Sequence, residues 1–139
     1  MAFIQQDHGG VVFHTSDLLS HPQICHGFST RLGGVSGGFH ASLNFRGSGP
    51  EPDRMDNVRE NFHRFCIPLG ADPEGLVLSV QVHQDTVRHV TAADRGKGLT
   101  FPTDYTADAL VTNEPGLNLM VFSADCIILL LHDPVSRSI

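Results

Sequence analysis

The spacing of apolar positions changes along this chain, and the change separates one helix from a series of short strands. Met55, Val58, Phe62, Phe65 and Leu69 recur at intervals of three and four, the stripe of an amphipathic helix. Asp53 stands where a cap is expected, and Pro68 with Gly70 where a helix stops, so the pattern predicts a helix over 53–66. Elsewhere the apolar runs are short, β-branched and bounded by turn residues. They are GGVVFHT (9–15), ICHGFST (24–30), LVLSVQVH (76–83), TVRHVT (86–91), ADALVT (107–112), LNLMVFS (117–123) and IILLL (127–131). The runs 76–83 and 86–91 are expected to form a hairpin that bends directly after His83. VFSADCIILLL reads as a strand suited to the centre of a sheet, interrupted by Asp125 and Cys126.

The connections differ in character. SDLLSHPQ suits a turn or one helical turn. RLGGVSGGFHASLNF (31–45) concentrates glycine between Gly33 and Gly38, where the backbone can take positive φ and come close to a ligand or to another strand. Residues 92–106 are polar, carry Gly and Pro, and exceed the usual connection length, as functional loops often do. The expected fold is a mixed α/β, strand-rich sheet core with one clear helix near 53–66.

Composition narrows the class. A chain of 139 residues, 40% hydrophobic, suffices for one modest domain with one core. The formal charge is −6, and of nine Lys and Arg only Lys97 is lysine, so no basic field exists for a nucleic-acid backbone. A small anion at a local arginine remains open. The first ten residues lack the basic and apolar regions of a signal peptide. The longest apolar run, 117–131, is broken by Asn118, Ser123 and Asp125 and falls short of the ~20 residues that span a bilayer. A cytoplasmic protein without membrane contact is expected. Cys25, Cys66 and Cys126 are odd in number and widely spaced, which fits reduced thiols better than a disulfide framework.

No local motif of the CxxC, HExxH, HxH, GxSxG or P-loop kind occurs, so a site must be assembled from distant segments. His83 and Cys126 offer an imidazole and a thiolate, a set that suits zinc, although two donors alone would hold it poorly. Each has a plain reading as well: Cys126 as a small buried hydrophobe, His83 as a hydrogen-bonded turn residue. Asp125 would need a partner if buried, and carboxylates beside metal ligands often orient them. Arg31 is either a solvated loop charge or, with the amides of Gly33–Gly38, part of an anion-binding concavity. The remaining histidines, His40 among them, lack a partner at a defined spacing.

Taken together and in order, HGFSTRLGGVSGGFHASLNF, VRENFHRF, SVQVHQDTV, ADALVT and SADCIILLLHDP resemble the laccase-domain proteins, once called multicopper polyphenol oxidoreductases and now described as purine nucleoside phosphorylases. The agreement spans roughly residues 11–134. The resemblance implies a zinc ion held by His83, by Cys126 and by a second histidine from a His-Ala-Gly-Trp-Arg-Gly segment. That segment is expected shortly after HDPVSRSI, so the chain is expected to represent the N-terminal part of one larger domain. Three departures bear on substrate contacts: Gln84 replaces a usual Gly, Asn61-Phe62 a usual Asn-Arg, and Ile128 a usual Pro.

The implied activity is zinc-dependent phosphorolysis of adenosine, inosine or guanosine, with adenosine deamination beside it. Three protein ligands leave zinc an open position, and attack of water on a purine ring suits deamination. Phosphorolysis needs phosphate held against the sugar, a task assigned to Arg31 and the glycine loop, with Asn44 as a polar substrate contact. Purine nucleoside and phosphate are the expected partners, and the full-length protein is expected to be a monomer. Copper is less suited, because a blue-copper cysteine sits among clustered histidines whereas Cys126 precedes Ile127 and Ile128. Two alternatives stay open: a thiol hydrolase with Cys126 as nucleophile and His83 as base, or a chain without activity whose apolar strands lack neighbours and associate.

Overall fold

The computed structural model describes residues 3–139. The chain divides into two compact units, Met1–Ala71 and Asp72–Ile139. The expected mixed α/β character with a single α-helix holds, and among the described residues no helix is long and apolar enough to cross a membrane.

The first unit is built on a three-stranded antiparallel sheet, β1 (Phe3–His8), β2 (Val11–Ser16) and β3 (Phe28–Ser29), in that spatial order. β1 and β2 pair from His8↔Val11 to Phe3↔Ser16 around Gly9 and Gly10, both at positive φ. β1 is absent from the expectation because FIQQDH is a mostly exposed edge strand with no apolar alternation to read. Helix α1 runs Met55–Leu69 and buries Val58, Phe62 and Phe65. Its face packs on aromatic rings: Phe13 meets Phe65 edge-on at 6.0 Å, and Phe45 lies 4.7 Å from Phe62 and 5.7 Å from Phe65.

The helix bounds shift from 53–66 for two reasons. Arg54, not Asp53, occupies the cap position, and the Asp53 carboxylate accepts from the Arg54 amide and the Asn57 side chain instead. Pro68 does not end α1, because a proline in the last turn forfeits one backbone bond only. The stop falls at Gly70, whose φ of 74° lets its amide fold back onto the carbonyls of Cys66 and Ile67.

The second unit pairs its strands in parallel and at long range. β4 (Leu76–Val77) pairs with β7 (Asn118–Leu119), and β5 (Val87–His89) with β6 (Ala109–Val111). The hairpin expected from 76–83 and 86–91 therefore does not form; each run takes a different distant partner. Val77, Val90 and Leu117 form the buried centre, with Tyr105, Leu110 and Leu119 packed against it.

The 92–106 connection is a tied-down structural loop. Asp94 accepts from the Thr91 amide at 3.0 Å and faces Lys97 at 3.1 Å and Arg88 at 3.4 Å. Burial opposes the Asp94 charge, and these donors nevertheless hold its carboxyl below the usual range. Arg88 also lies 3.8 Å over the Tyr105 ring.

The strand expected over 127–131 is not formed. No backbone hydrogen bond joins this stretch to another strand among the described residues, and Ile127, Leu129 and Leu131 are 90%, 75% and 73% exposed. A strand exists only where its amides and carbonyls find partners, and apolar content alone supplies none.

Candidate functional site

The segment bearing His83 is shaped by one carboxylate. Asp108 accepts three successive amides, from Val82 at 3.0 Å, His83 at 2.8 Å and Gln84 at 2.8 Å. The bond from Gln84 contributes most to holding the Asp108 carboxyl below its ordinary value, burial opposes it, and the His83 and Val82 amides add to the lowering. Gathering three amides on one group requires a sharp bend, and His83 takes it up at a φ of 58°, a conformation uncommon for a residue with a Cβ. The result is an exposed imidazole on a braced turn.

Gln81 ties this turn to the segment bearing Cys126. Its side-chain nitrogen donates to the Phe122 carbonyl at 2.9 Å, and its oxygen accepts the Phe122 amide at 2.7 Å. Both ends of one amide are thus spent in joining SVQVH to VFSADC. Beyond Phe122 the chain bends, and the Ser123 hydroxyl donates to the Cys126 carbonyl at 2.5 Å. Cys126 is a free, exposed thiol, which removes the reading of it as a small buried hydrophobe. Asp125 is exposed too, so the burial cost that would have demanded a partner does not arise. Among the described residues no group of three or more His, Cys, Asp and Glu is placed to hold a metal ion. Among the described residues no third donor is placed with His83 and Cys126, so these residues do not by themselves fit a resident ion.

In the first unit the glycine loop divides by function. A Cβ on Gly33 would stand 2.4 Å from the Gly10 carbonyl oxygen, and one on Gly34 would stand 2.0 Å from that of Ser42. These two glycines serve close backbone packing. Gly37 and Gly38 have nothing within 4 Å of a Cβ and lie open.

Arg31 lines a cleft of about 370 Å³ together with Phe39, His40, Ser42, Asn44 and Arg46. One Arg31 amino group donates to the Ala41 carbonyl at 2.7 Å, which anchors the guanidinium at the cleft wall. The Asn44 amide binds Arg46 on both sides, accepting its N–H at 3.2 Å and donating to its carbonyl at 3.3 Å, and also reaches Asp53 at 3.3 Å. Behind it, fully buried Asn61 accepts the Val35 amide at 2.8 Å and donates to the Ser36 hydroxyl at 2.8 Å and the Asn44 carbonyl at 2.7 Å. Ser36 in turn donates to Asp53 at 2.5 Å. That bond comes first in holding the Asp53 carboxyl well below the carboxylate range, against burial and with help from Asn57, Asn44 and the Arg54 amide.

The structure places His83 and Cys126 on linked segments of the second unit, and Arg31 and Asn44 on one cleft of the first. Sequence reasoning missed four contributors: Gln81, Asp108, Asn61 and Arg46. The first three stand inside the quoted blocks SVQVH, ADALVT and VRENF. Their roles become visible only when backbone amides far along the chain are known to meet them.

The profile of the family described as multi-copper polyphenol oxidoreductase laccase matches residues 25–139, and the chain belongs to that family. A purine nucleoside phosphorylase of Deinococcus radiodurans is 39% identical over 121 residues, covering 84% of this chain and 42% of that protein. The purine nucleoside phosphorylase YlmD of Bacillus subtilis is 34% identical over 119 residues, with the same two coverages, 84% and 42%. Among solved structures, the Bacillus licheniformis hypothetical protein YfiH superimposes with a TM-score of 0.79 at 26% identity, over 96% of this chain and 49% of that one. YlmD from Geobacillus stearothermophilus gives 0.66 at 30% identity, over 84% and 42%. The chain thus spans about 42% of the length of these curated relatives, consistent with part of a larger fold.

Proposed function

We propose that this chain carries the metal-binding and phosphate-binding segments of a zinc-dependent purine nucleoside phosphorylase, with adenosine deaminase activity in the complete protein. The observation that supports the reading best is the joining of two segments. Gln81 fastens the turn bearing His83 to the segment bearing Cys126, and both residues are exposed. His83 and Cys126 would supply two ligands, and the third would come from a segment outside the described residues. Asp125, adjacent to Cys126, would orient that ligand. Bound zinc would contribute Lewis acidity at an open coordination position.

In phosphorolysis a phosphate oxygen forms a bond to the ribose C1′ as the bond to the purine nitrogen breaks, and the base leaves with the electron pair and takes up a proton. The chain's own contribution is to hold the phosphate. Arg31, anchored through Ala41, and the open amides of the glycine loop would take the phosphate or ribose, and Asn44 would supply a polar contact. Family membership and relatives named purine nucleoside phosphorylase support the phosphorylase reading.

The test is release of hypoxanthine and ribose 1-phosphate from inosine and inorganic phosphate, run on the chain and on a form extended to the length of its relatives. The extended form is expected to be active and to hold zinc stoichiometrically, and His83→Ala or Cys126→Ala to remove both. Retention of full activity by either variant would sink the reading. Inosine formed from adenosine without phosphate reports the deaminase activity separately. The exposed thiol of Cys126 also favours a second reading, a thiol hydrolase with His83 as base. Alkylation of Cys126 at a rate that zinc leaves unchanged would support that reading against the first.

A further inference from the structure

Arg31 shares its cleft with a second arginine. Arg54, Arg64, Arg88 and Arg95 each face a carboxylate, whereas Arg31, Arg46, Arg59 and Arg137 face none among the described residues, and of these four only Arg31 and Arg46 line one cleft. In a chain of net charge −6, acids are plentiful, so two arginines without one on the same cleft leave a cationic lining that an external anion would neutralise.

Arg46 is also held in place. Its Nε donates to the Ser48 carbonyl at 3.0 Å, which fixes the guanidinium while leaving both terminal amino groups without a partner among the described residues. Its backbone is clasped by the Asn44 amide on both sides and accepts the Asp53 amide at 3.2 Å. Asn44 is itself held by Asp53 and Asn61. A guanidinium anchored in this way loses little freedom on binding, and its planar fork matches the oxygens of a tetrahedral anion. Arg31 is anchored by the same device, one donor spent on a carbonyl and the others left.

We infer that Arg46 and Arg31 together form a two-arginine site for a phosphate dianion, with Asn44 as the residue that positions Arg46. The inference rests on the phosphorylase reading for its choice of ligand and extends it to a residue which that reading leaves out. A phosphoryl group presents the same oxygens whether it is free inorganic phosphate or the phosphate of ribose 1-phosphate.

The experiment titrates the isotope-labelled chain with inorganic phosphate, and separately with ribose 1-phosphate, and follows the amide shifts of residues 37–46. The variants are Arg46→Ala, Arg46→Lys and Arg31→Ala, with thermal melting as the check on folding. Arg46→Ala is expected to weaken phosphate binding about tenfold, the loss of one charge-assisted contact, and Arg46→Lys to restore part of it. Shifts with either ligand support the site, and the tighter ligand identifies its source. Unchanged binding in Arg46→Ala with a loss in Arg31→Ala overturns this inference and leaves the Arg31 assignment standing. Unchanged binding in Arg31→Ala overturns both, as does an unmodified chain that binds neither ligand.

Discussion

Two stretches that bear apolar side chains meet opposite fates. In α1, Val58 and Phe62 are 2% and 1% exposed, whereas Ile127 and Leu129 are 90% and 75% exposed. The helix satisfies its backbone internally and needs only a surface to lie on, which β2 and Phe45 provide. Residues 127–131 need a neighbouring strand for every amide and carbonyl, and the described residues offer none. Apolar pattern states what a segment could bury; whether it does depends on where its backbone bonds go.

A direct way to break this comparison is to truncate one side chain on each side of it. Phe62→Ala is expected to cost about 3–5 kcal/mol, because it empties the centre of an aromatic cluster that cannot collapse fully. Leu129→Ala should fall within about ±0.5 kcal/mol, as exposed substitutions do. Urea unfolding of both variants checks the pair. A Leu129→Ala cost approaching that of Phe62→Ala would mean that 127–131 is packed in solution after all.

The next effect concerns the polar half of the same helix face. Asn61 is fully buried and serves the Val35 amide, the Ser36 hydroxyl and the Asn44 carbonyl at once. Asn61→Ala leaves those groups without their partner inside the unit, and a buried unsatisfied group costs about 1–3 kcal/mol. The same denaturation measurement reads the loss. A companion phosphate titration should weaken as well, since Asn44 loses its support.

A smaller and local effect tests the other stretch. If the Gln81 amide fastens Phe122, then Gln81→Ala should speed hydrogen exchange at the Phe122 amide while leaving the Phe65 amide of α1 unchanged. Equal exchange at Phe122 in both proteins would show that the clamp contributes nothing to holding the Cys126 segment.

These contrasts also explain how far the sequence could be read. The helix was legible because its period is internal, and its bounds missed by a few residues because Asp53 turned its carboxylate to the Ser36 and Asn57 side chains. β2 and β3 were legible as β-prone runs. β1 was not, since an exposed edge strand needs no apolar face. The hairpin after His83 failed because β4 and β5 choose β7 and β6, and parallel pairing across tens of residues leaves no local trace. Within the site, the blocks carrying His83 and Cys126 stood out as chemistry. Asp108 and Gln81 did not, because their work is done on backbone groups that the sequence does not display.

The mildest prediction isolates Asp108, whose role has no counterpart in the unbraced 127–131 stretch. Its carboxyl is held below the ordinary value chiefly by the Gln84 amide, with the His83 and Val82 amides assisting. A depressed folded value means that the carboxylate favours the native turn wherever it is ionised in both states. That contribution is complete above the ordinary value of about 4 and fades as pH falls through the lower folded value. The Asp108 contribution to the turn should therefore be constant above about pH 5, and below about pH 4 the His83 and Gln84 amide resonances should move together as Asp108 takes up its proton. Asp108→Asn keeps one oxygen acceptor but removes the charge, so it should abolish the acid titration of those resonances and relax the strained His83 backbone toward ordinary φ. Persistence of the titration in Asp108→Asn would assign it to another group and leave the bend at His83 without its carboxylate brace.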